Sequence, residues 1–445
     1  MNNSTALPGK KSISSLTLFE VLFSVYGFLF YTDTWWALFG ETIPPVYSAI
    51  RYSILGVPLI LLLLRGKTLL RVFTKGSLLW IFISVCVFSL AWSINPDLTT
   101  KGILRITLQI SVFALYFSSR FNPKDQLYII GSALGITVMV NLFYILAMPS
   151  VGIHAGDKFD GAWKGFYESK NEFSGSMLWA AIVCYIINLK DSNPFAKRIT
   201  RIGGFLCPAL ILLSTSKSAL VIFLALYVAI ALLNKYIWQG SKSILLIDLA
   251  ILLSCLVVSG VISNWVAIVS SLGKDPTMSG RTVLWHSSII EIQQRPWLGH
   301  GFAGFWTEDN PAAMGIGESL SPGFYAHSAH NGFLNIALDV GWVGLGLFLI
   351  GFLSTWILAL KYAYGAKSPE AFWPFAVILL VTIYNLVESS LNSEDINWLL
   401  YVLTYFSLRI WPQRAKVPLP EPNLQLAPSA TQSSGIADGL TPTAR

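Results

Sequence analysis

Long apolar runs separated by short polar punctuation recur along most of this chain. Runs able to cross a hydrocarbon core, about 20 residues or slightly fewer, fall near 16–38, 45–64, 77–93, 102–119, 127–148, 174–189, 202–214, 219–234, 243–262, 335–360, 371–387 and 396–411. Backbone in lipid must satisfy its own hydrogen bonds, so the pattern predicts twelve membrane-spanning helices. The seventh and eighth are short, with Thr215-Ser216-Lys217-Ser218 between them.

Two interruptions, about 149–173 and 263–334, are long enough to fold on the membrane surface. From Pro412 to Arg445 the chain is rich in Pro, Ser, Ala and Thr, which predicts a disordered tail. Residues 1–411 are therefore expected to form one polytopic membrane domain that includes both loops. The fold class is all-α, a transmembrane helix bundle with a large helical outward loop.

Composition agrees. Of 445 residues only 12% are charged, about half the ~25% of a soluble chain, and the mean hydropathy is +0.61. The net charge of +7 reflects topology rather than nucleic-acid binding, as its distribution shows. With a cytoplasmic N-terminus, 20 Lys and Arg fall inside, 8 outside and 2 within spans. Merging spans seven and eight would turn 235–242 and 361–367 outward against that bias, so twelve spans with both termini cytoplasmic are retained. Cys86, Cys184, Cys207 and Cys255 all lie in apolar runs and read as buried small hydrophobes.

The polar island from about Asn264 to Leu334 carries the candidate chemistry. It holds Gly280-Arg281-Thr282, Arg295-Pro296-Trp297-Leu298-Gly299 and His327-Ser328-Ala329-His330-Asn331-Gly332. Fixed guanidinium groups near an imidazole suit an anionic group such as a diphosphate, held while an adjacent hydroxyl is deprotonated. Ser279 is placed to cap a helix that runs to about Gln294 and ends before Pro296. Trp285, Ile289 and Ile292 would form its apolar stripe, with Arg281 at the N-terminal edge, suited either to a lipid headgroup or to catalysis. Arg295 sits in a glycine turn where it can bind substrate or fix the loop.

His327 and His330 are three apart, a spacing open to a metal pair, but no third histidine or marked carboxylate adjoins them. A general base near neutral pH is the more economical reading, and His330, just before the tenth span, is the better placed. Lys217 stands in an outward turn, where a cation is either functional or reaching for the interface. Lys170-Asn171 adds a Lys-Asn pair on the same face.

Together, Lys170-Asn171, Ser214-Thr215-Ser216-Lys217-Ser218-Ala219, Ser279-Gly280-Arg281-Thr282, the run from Arg295 to Phe302, and Ala329-His330-Asn331-Gly332-Phe333 resemble the bacterial O-antigen ligase and polymerase superfamily. Within it they look closest to exopolysaccharide polymerases, and the likeness is specific between about Lys164 and Gly351. The resemblance implies catalytic roles for His330 and Arg281. It also implies substrate binding by Lys217, Arg295, Lys170, Asn331 and His327. Lys217 departs from the family's usual arginine, keeping the charge and losing the bidentate fork.

The implied activity is a glycosyltransferase at the outer face of the bacterial inner membrane, without bound metal or cofactor. It would polymerise polyprenyl-diphosphate-linked oligosaccharide onto a growing glycan acceptor, among membrane lipids and other polysaccharide assembly proteins. A ligase joining glycan to lipid A core, a lipid-linked sugar transporter and a non-catalytic scaffold of a polysaccharide assembly complex are the alternatives.

Overall fold

The computed structural model describes residues 15–411, apart from 157–158, 190–193, 236–279, 322, 366–368, 387 and 392. Among the described residues the chain is all-helical, with no strand and a single isolated bridge between Ile153 and Trp163. In chain order the helices are α1 (Ser15–Tyr31), α2 (Pro44–Leu64), α3 (Gly66–Lys75), α4 (Ser77–Phe88) and α5 (Pro96–Gly102). A π-helical stretch, Ile103–Gln109, joins α5 to α6 (Ile110–Arg120). There follow α7 (Pro123–Ala147), α8 (Pro149–Gly152), α9 (Lys170–Asn188), α10 (Pro194–Leu213) and α11 (Lys217–Lys235). Beyond them lie α12 (Arg281–Gln294), α13 (Pro311–Glu318), α14 (Gly332–Gly365), α15 (Phe372–Asn385) and α16 (Ile396–Ile410).

The expectation of twelve spans is met in part. A helix occupies each predicted range except 243–262, which lies outside the described residues, as do Cys255, Ser279 and the tail from Pro412. By length and composition, four stretches among the described residues are able to cross a membrane: Pro44–Leu64, Pro96–Arg120, Pro123–Ala147 and Gly332–Gly365. The remaining apolar helices are shorter, or begin with charged turns, as α9 does with Lys170 and Glu172. The break between the seventh and eighth apolar runs is real. Thr215 takes a left-handed turn (φ 55°) and Ser214 Oγ accepts the N–H of Ser216 at 3.2 Å.

Large aromatics fill the interior. Phe28 meets Phe117 edge-on at 4.9 Å, and buried Trp179 and Trp373 pack at right angles while the Trp179 indole donates to Asn397 Oδ1 at 2.8 Å. Leu63, Phe88, Met139, Phe205 and Val221 are exposed, as lipid-facing side chains are. Glu20, fully buried, accepts from Arg65 (2.5 Å) and Arg120 (2.6 Å), because a buried carboxylate requires partners. Cys86 and Cys207 are buried as expected, and Cys184 is partly so.

The segment between α11 and α14 has its own small core, in which Leu284, Ile292, Phe305, Ile316 and Ala326 pack with Ala337 and Leu338 of α14. The run Arg295 to Gly301 docks into a break in α14, where Gly341 leaves helical geometry (φ 66°, ψ −171°). The N–H of His300 donates to Leu338 O, that of Gly301 to Asp339 O, and that of Trp342 back to Pro296 O, at 2.8 to 2.9 Å. A Cβ on Gly341 would collide with the Trp297 backbone, and one on Gly299 with that of Asp339. Both also hold positive φ, so glycine is required there twice over. The Pro-Trp-Leu-Gly-His-Gly motif therefore fixes the angle at which α14 leaves the loop, and with it His330.

Candidate functional site

Five helix ends meet around one carboxylate, Glu388. It lies three residues beyond α15 and is mostly covered, its side chain 12% exposed. Arg281, the first residue of α12, places Nη2 2.5 Å from Glu388 Oε1. His330, two residues before α14, places Nδ1 2.9 Å from Oε2. Asn171, in the first turn of α9, donates its amide to Oε1 at 3.3 Å and accepts from Ser216 Oγ at 3.1 Å, at the mouth of α11. The N-termini of α9, α11, α12 and α14 are thereby drawn together, and each contributes partial positive charge.

Why Glu388 sits there follows from Asn385. The Asn385 Oδ1 accepts the N–H groups of Ser390 and Leu391, both at 2.8 Å, so the end of α15 is tied to a tight loop. Gly332 packs on the same side chain, with no room for a Cβ between them. The loop that carries Glu388 and the helix that follows His330 are thus fixed against each other.

His330 itself adopts a left-handed backbone (φ 48°), which non-glycine residues rarely hold. Its N–H bonds Ser328 Oγ at 3.2 Å, and Asn331 takes the next N–H groups: Oδ1 accepts from Phe333 and Leu334, both at 3.1 Å. Asn331, expected to bind substrate, is therefore the cap of α14. The strain is held by the cap on one side and the Glu388 contact on the other. A carboxylate only accepts, so Nδ1 is a protonated ring nitrogen, and in the neutral imidazole the lone pair is then on Nε2. The His330 side chain is 42% exposed.

The other expected residues fall at different distances from this centre. Lys217 opens α11 with its side chain exposed and without an ion-pair partner among the described residues, one residue from Ser216, which bonds Asn171. Lys170 donates to Thr215 Oγ1 at 3.1 Å and lies 4.1 Å from the Phe159 ring centre, bracing the turn before Lys217. Arg295 is not part of the cluster. It and Arg281 stand at opposite ends of α12, and fourteen helical residues span about 21 Å. Arg295 reaches Trp92 O instead, at 3.4 Å. His327 packs edge-on against Tyr325, with ring centres 4.5 Å apart, and among the described residues no group of three or more His, Cys, Asp or Glu is placed to hold a metal ion.

Two local expectations are corrected. The N-cap position of α12 is Gly280 (φ 87°), with no side-chain cap. Its buried face runs through Leu284, Ser288 and Ile292, while Ile289 is exposed, since the loop core lies on that side. Sequence reasoning also missed Glu388, one of three carboxylates, with Glu394 and Asp395, in the short segment between two apolar runs and on the same predicted face as the loop. That acidic segment at the end of a predicted span was the available signal. Burial shapes the neighbouring charge as well: it pushes the carboxyl of Asp395, the cap of α16, up to about 6.

Comparison with known proteins agrees with the motifs. Residues 202–349 match the O-antigen ligase family, a range that includes Lys217, Arg281 and His330 and stops short of Glu388. The exopolysaccharide production protein ExoQ of Rhizobium meliloti is 24% identical over 329 residues, covering 70% of this chain and 72% of that protein. The O-antigen ligase of Pseudomonas aeruginosa is 23% identical over 337 residues, covering 73% and 74%. The resemblance read from the motifs is borne out.

Proposed function

We propose that this protein is a membrane glycosyltransferase that polymerises polyprenyl-diphosphate-linked oligosaccharides into exopolysaccharide at the outer face of the inner membrane. The observation that carries the proposal is the Arg281–Glu388–His330 contact, set beside Lys217 where four helix N-termini meet. Such a place favours a diphosphate. A sugar hydroxyl of the acceptor attacks the anomeric carbon of the lipid-linked donor, and the bond from that carbon to the diphosphate oxygen breaks. The hydroxyl proton passes to His330 Nε2, while Glu388 holds the ring and stabilises the imidazolium. Negative charge grows on the leaving diphosphate, where Arg281 and Lys217 neutralise it. Arg281 serves Glu388 and the diphosphate together because its planar fork carries five donors.

A ligase that passes the glycan to lipid A core uses the same chemistry, and the Pseudomonas relative supports that second reading. A transporter is less well supported. Transporter sites lie near mid-membrane between repeated halves, whereas this cluster is built from helix ends.

The test is transfer by the purified full-length chain in lipid nanodiscs, given lipid-diphosphate-linked repeat units. Wild type should form longer glycans, with or without a strong chelator, and His330→Ala should form none. Zinc-restorable loss on chelation would favour a metal site at His327 and His330, and full activity of His330→Ala would remove the general base.

A further inference from the structure

A polar cavity lies in the segment between α11 and α14, away from Glu388. Its volume is about 320 Å³ and its wall includes Glu291, Gln294, Arg295, His300, Phe305 and Asp309, which places it at the small end of ligand sites, ~300–1,000 Å³. The wall mixes carboxylates, an amide and a guanidinium above the buried Phe305. Sugar hydroxyls both donate and accept, so this polar mixture suits a saccharide better than a lipid tail.

The cavity is rigidly built. His300 is 6% exposed and places Nδ1 3.2 Å from Leu338 O, so its ring is anchored to α14. Its backbone carbonyl accepts from Ile94 N at 2.9 Å, which ties in the segment before α5. Asn310 donates to Phe305 O at 2.8 Å and caps α13. The cavity is also tied to the base. Trp306, next to Phe305, donates to Asn335 Oδ1 at 3.1 Å, and the same oxygen accepts the N–H of Ala329, the neighbour of His330, at 3.0 Å.

Distance decides what part of a glycan would reach it. Arg281 and Glu291 lie on one helix, ten residues or about 15 Å apart, farther than one sugar ring spans. Charge narrows the choice: Glu291 and Asp309 outnumber Arg295, and burial together with the nearby Arg295 holds the His300 imidazole below the usual range, toward its neutral form. A uronic acid would meet net negative charge there.

We infer that this cavity is a glycan subsite that holds an uncharged sugar residue of the substrate, away from the reacting hydroxyl. The inference rests on the glycosyl-transfer reading and deepens it by naming what selects the repeat unit. Binding energy from a remote residue orients the reacting end, so the subsite would govern which glycan is used.

The probe is the repeat-unit oligosaccharide cut from the strain's own surface polysaccharide, free of lipid and diphosphate, titrated onto the full chain in nanodiscs. Wild type and His330→Ala should bind it equally. Glu291→Gln, Asp309→Asn and the exposed, mild Gln294→Ala should each weaken binding, by about tenfold for the carboxylate changes, and should raise KM for the glycan more than they lower kcat. Absence of binding by wild type overturns the subsite, as does unchanged binding and KM in all three variants of an active preparation. Binding that the three variants lose, in a protein that transfers no glycan, keeps the subsite and removes the transferase reading instead.

Discussion

His330 Nδ1 lies 2.9 Å from Glu388 Oε2, joining residues 58 positions apart at the ends of two different helices. The same carboxylate accepts from Arg281 and Asn171, so three donors converge on two oxygens.

Only a carboxylate satisfies such a set. In Glu388→Gln one acceptor becomes an NH₂ group that faces a donor, a mismatch of about 1–3 kcal/mol, and the imidazolium loses its counter-charge. Glycan transfer by Glu388→Gln should fall by about 10²-fold or more while the protein stays in the membrane at normal level. Wild-type rates in that variant would reduce Glu388 to a structural contact.

Lysine and arginine should behave asymmetrically at the two cationic positions. In the proposed mechanism Lys217, which is exposed, acts by charge alone, so Lys217→Arg should retain activity and Lys217→Ala should lose about 10²-fold. Arg281 in that mechanism bonds Glu388 and a phosphate oxygen at once, so Arg281→Lys should be as defective as Arg281→Ala. Equal tolerance of both conservative exchanges, measured as polymer yield at matched protein level, would contradict the division of labour.

The helix positions were legible because lipid-facing helices announce themselves by apolar length, and the break at Thr215 because Ser, Thr and Lys interrupt that length. Arg281 and His330 were legible from residue type and place in the polar island. Glu388 was not, since its links to Arg281 and His330 span 107 and 58 residues and leave no local pattern. Arg295 and Arg281 are arginines of one loop, and the helix read between them already sets them at opposite ends of α12, so residue type misled where helix length did not. The Arg295–Gly301 run read as a turn, whereas its role in docking on Gly341 depends on a helix break forty residues later.

His300 gives the loop a pH dependence of stability. Burial, the dominant cause, lowers its pKa, the bond to Leu338 O partly opposes this, and Arg295 adds to the lowering. A histidine depressed in the folded state is stabilising above its unfolded pKa of about 6.5, and that contribution is lost as pH falls through the folded value. The thermal midpoint of wild type should therefore drop on acidification below about pH 6.5. In His300→Asn, whose amide N–H can still reach Leu338 O, the drop should be smaller. Parallel pH profiles of the two proteins would show that His300 does not titrate between the folded and unfolded states.

The acceptor separates polymerase from ligase, and the residues at Glu388 do not, because both reactions displace a lipid diphosphate with a sugar hydroxyl. The two relatives are matched at nearly the same identity and coverage, so similarity does not choose between them either. Our expectation rests on the likeness of Ala329-His330-Asn331-Gly332-Phe333 to the exopolysaccharide polymerases, since a glycan subsite would serve either enzyme. A polymerase joins repeat units to one another, so its loss should leave single lipid-linked units and remove high-molecular-weight exopolysaccharide, while lipopolysaccharide keeps its long chains. A ligase acts after the chain is made, so its loss should leave long lipid-linked chains and an uncapped core. Gel profiles of lipid-linked glycan, exopolysaccharide and lipopolysaccharide from a deletion strain, complemented by wild type but not by His330→Ala, distinguish the two; we expect the first pattern, and the second would overturn it.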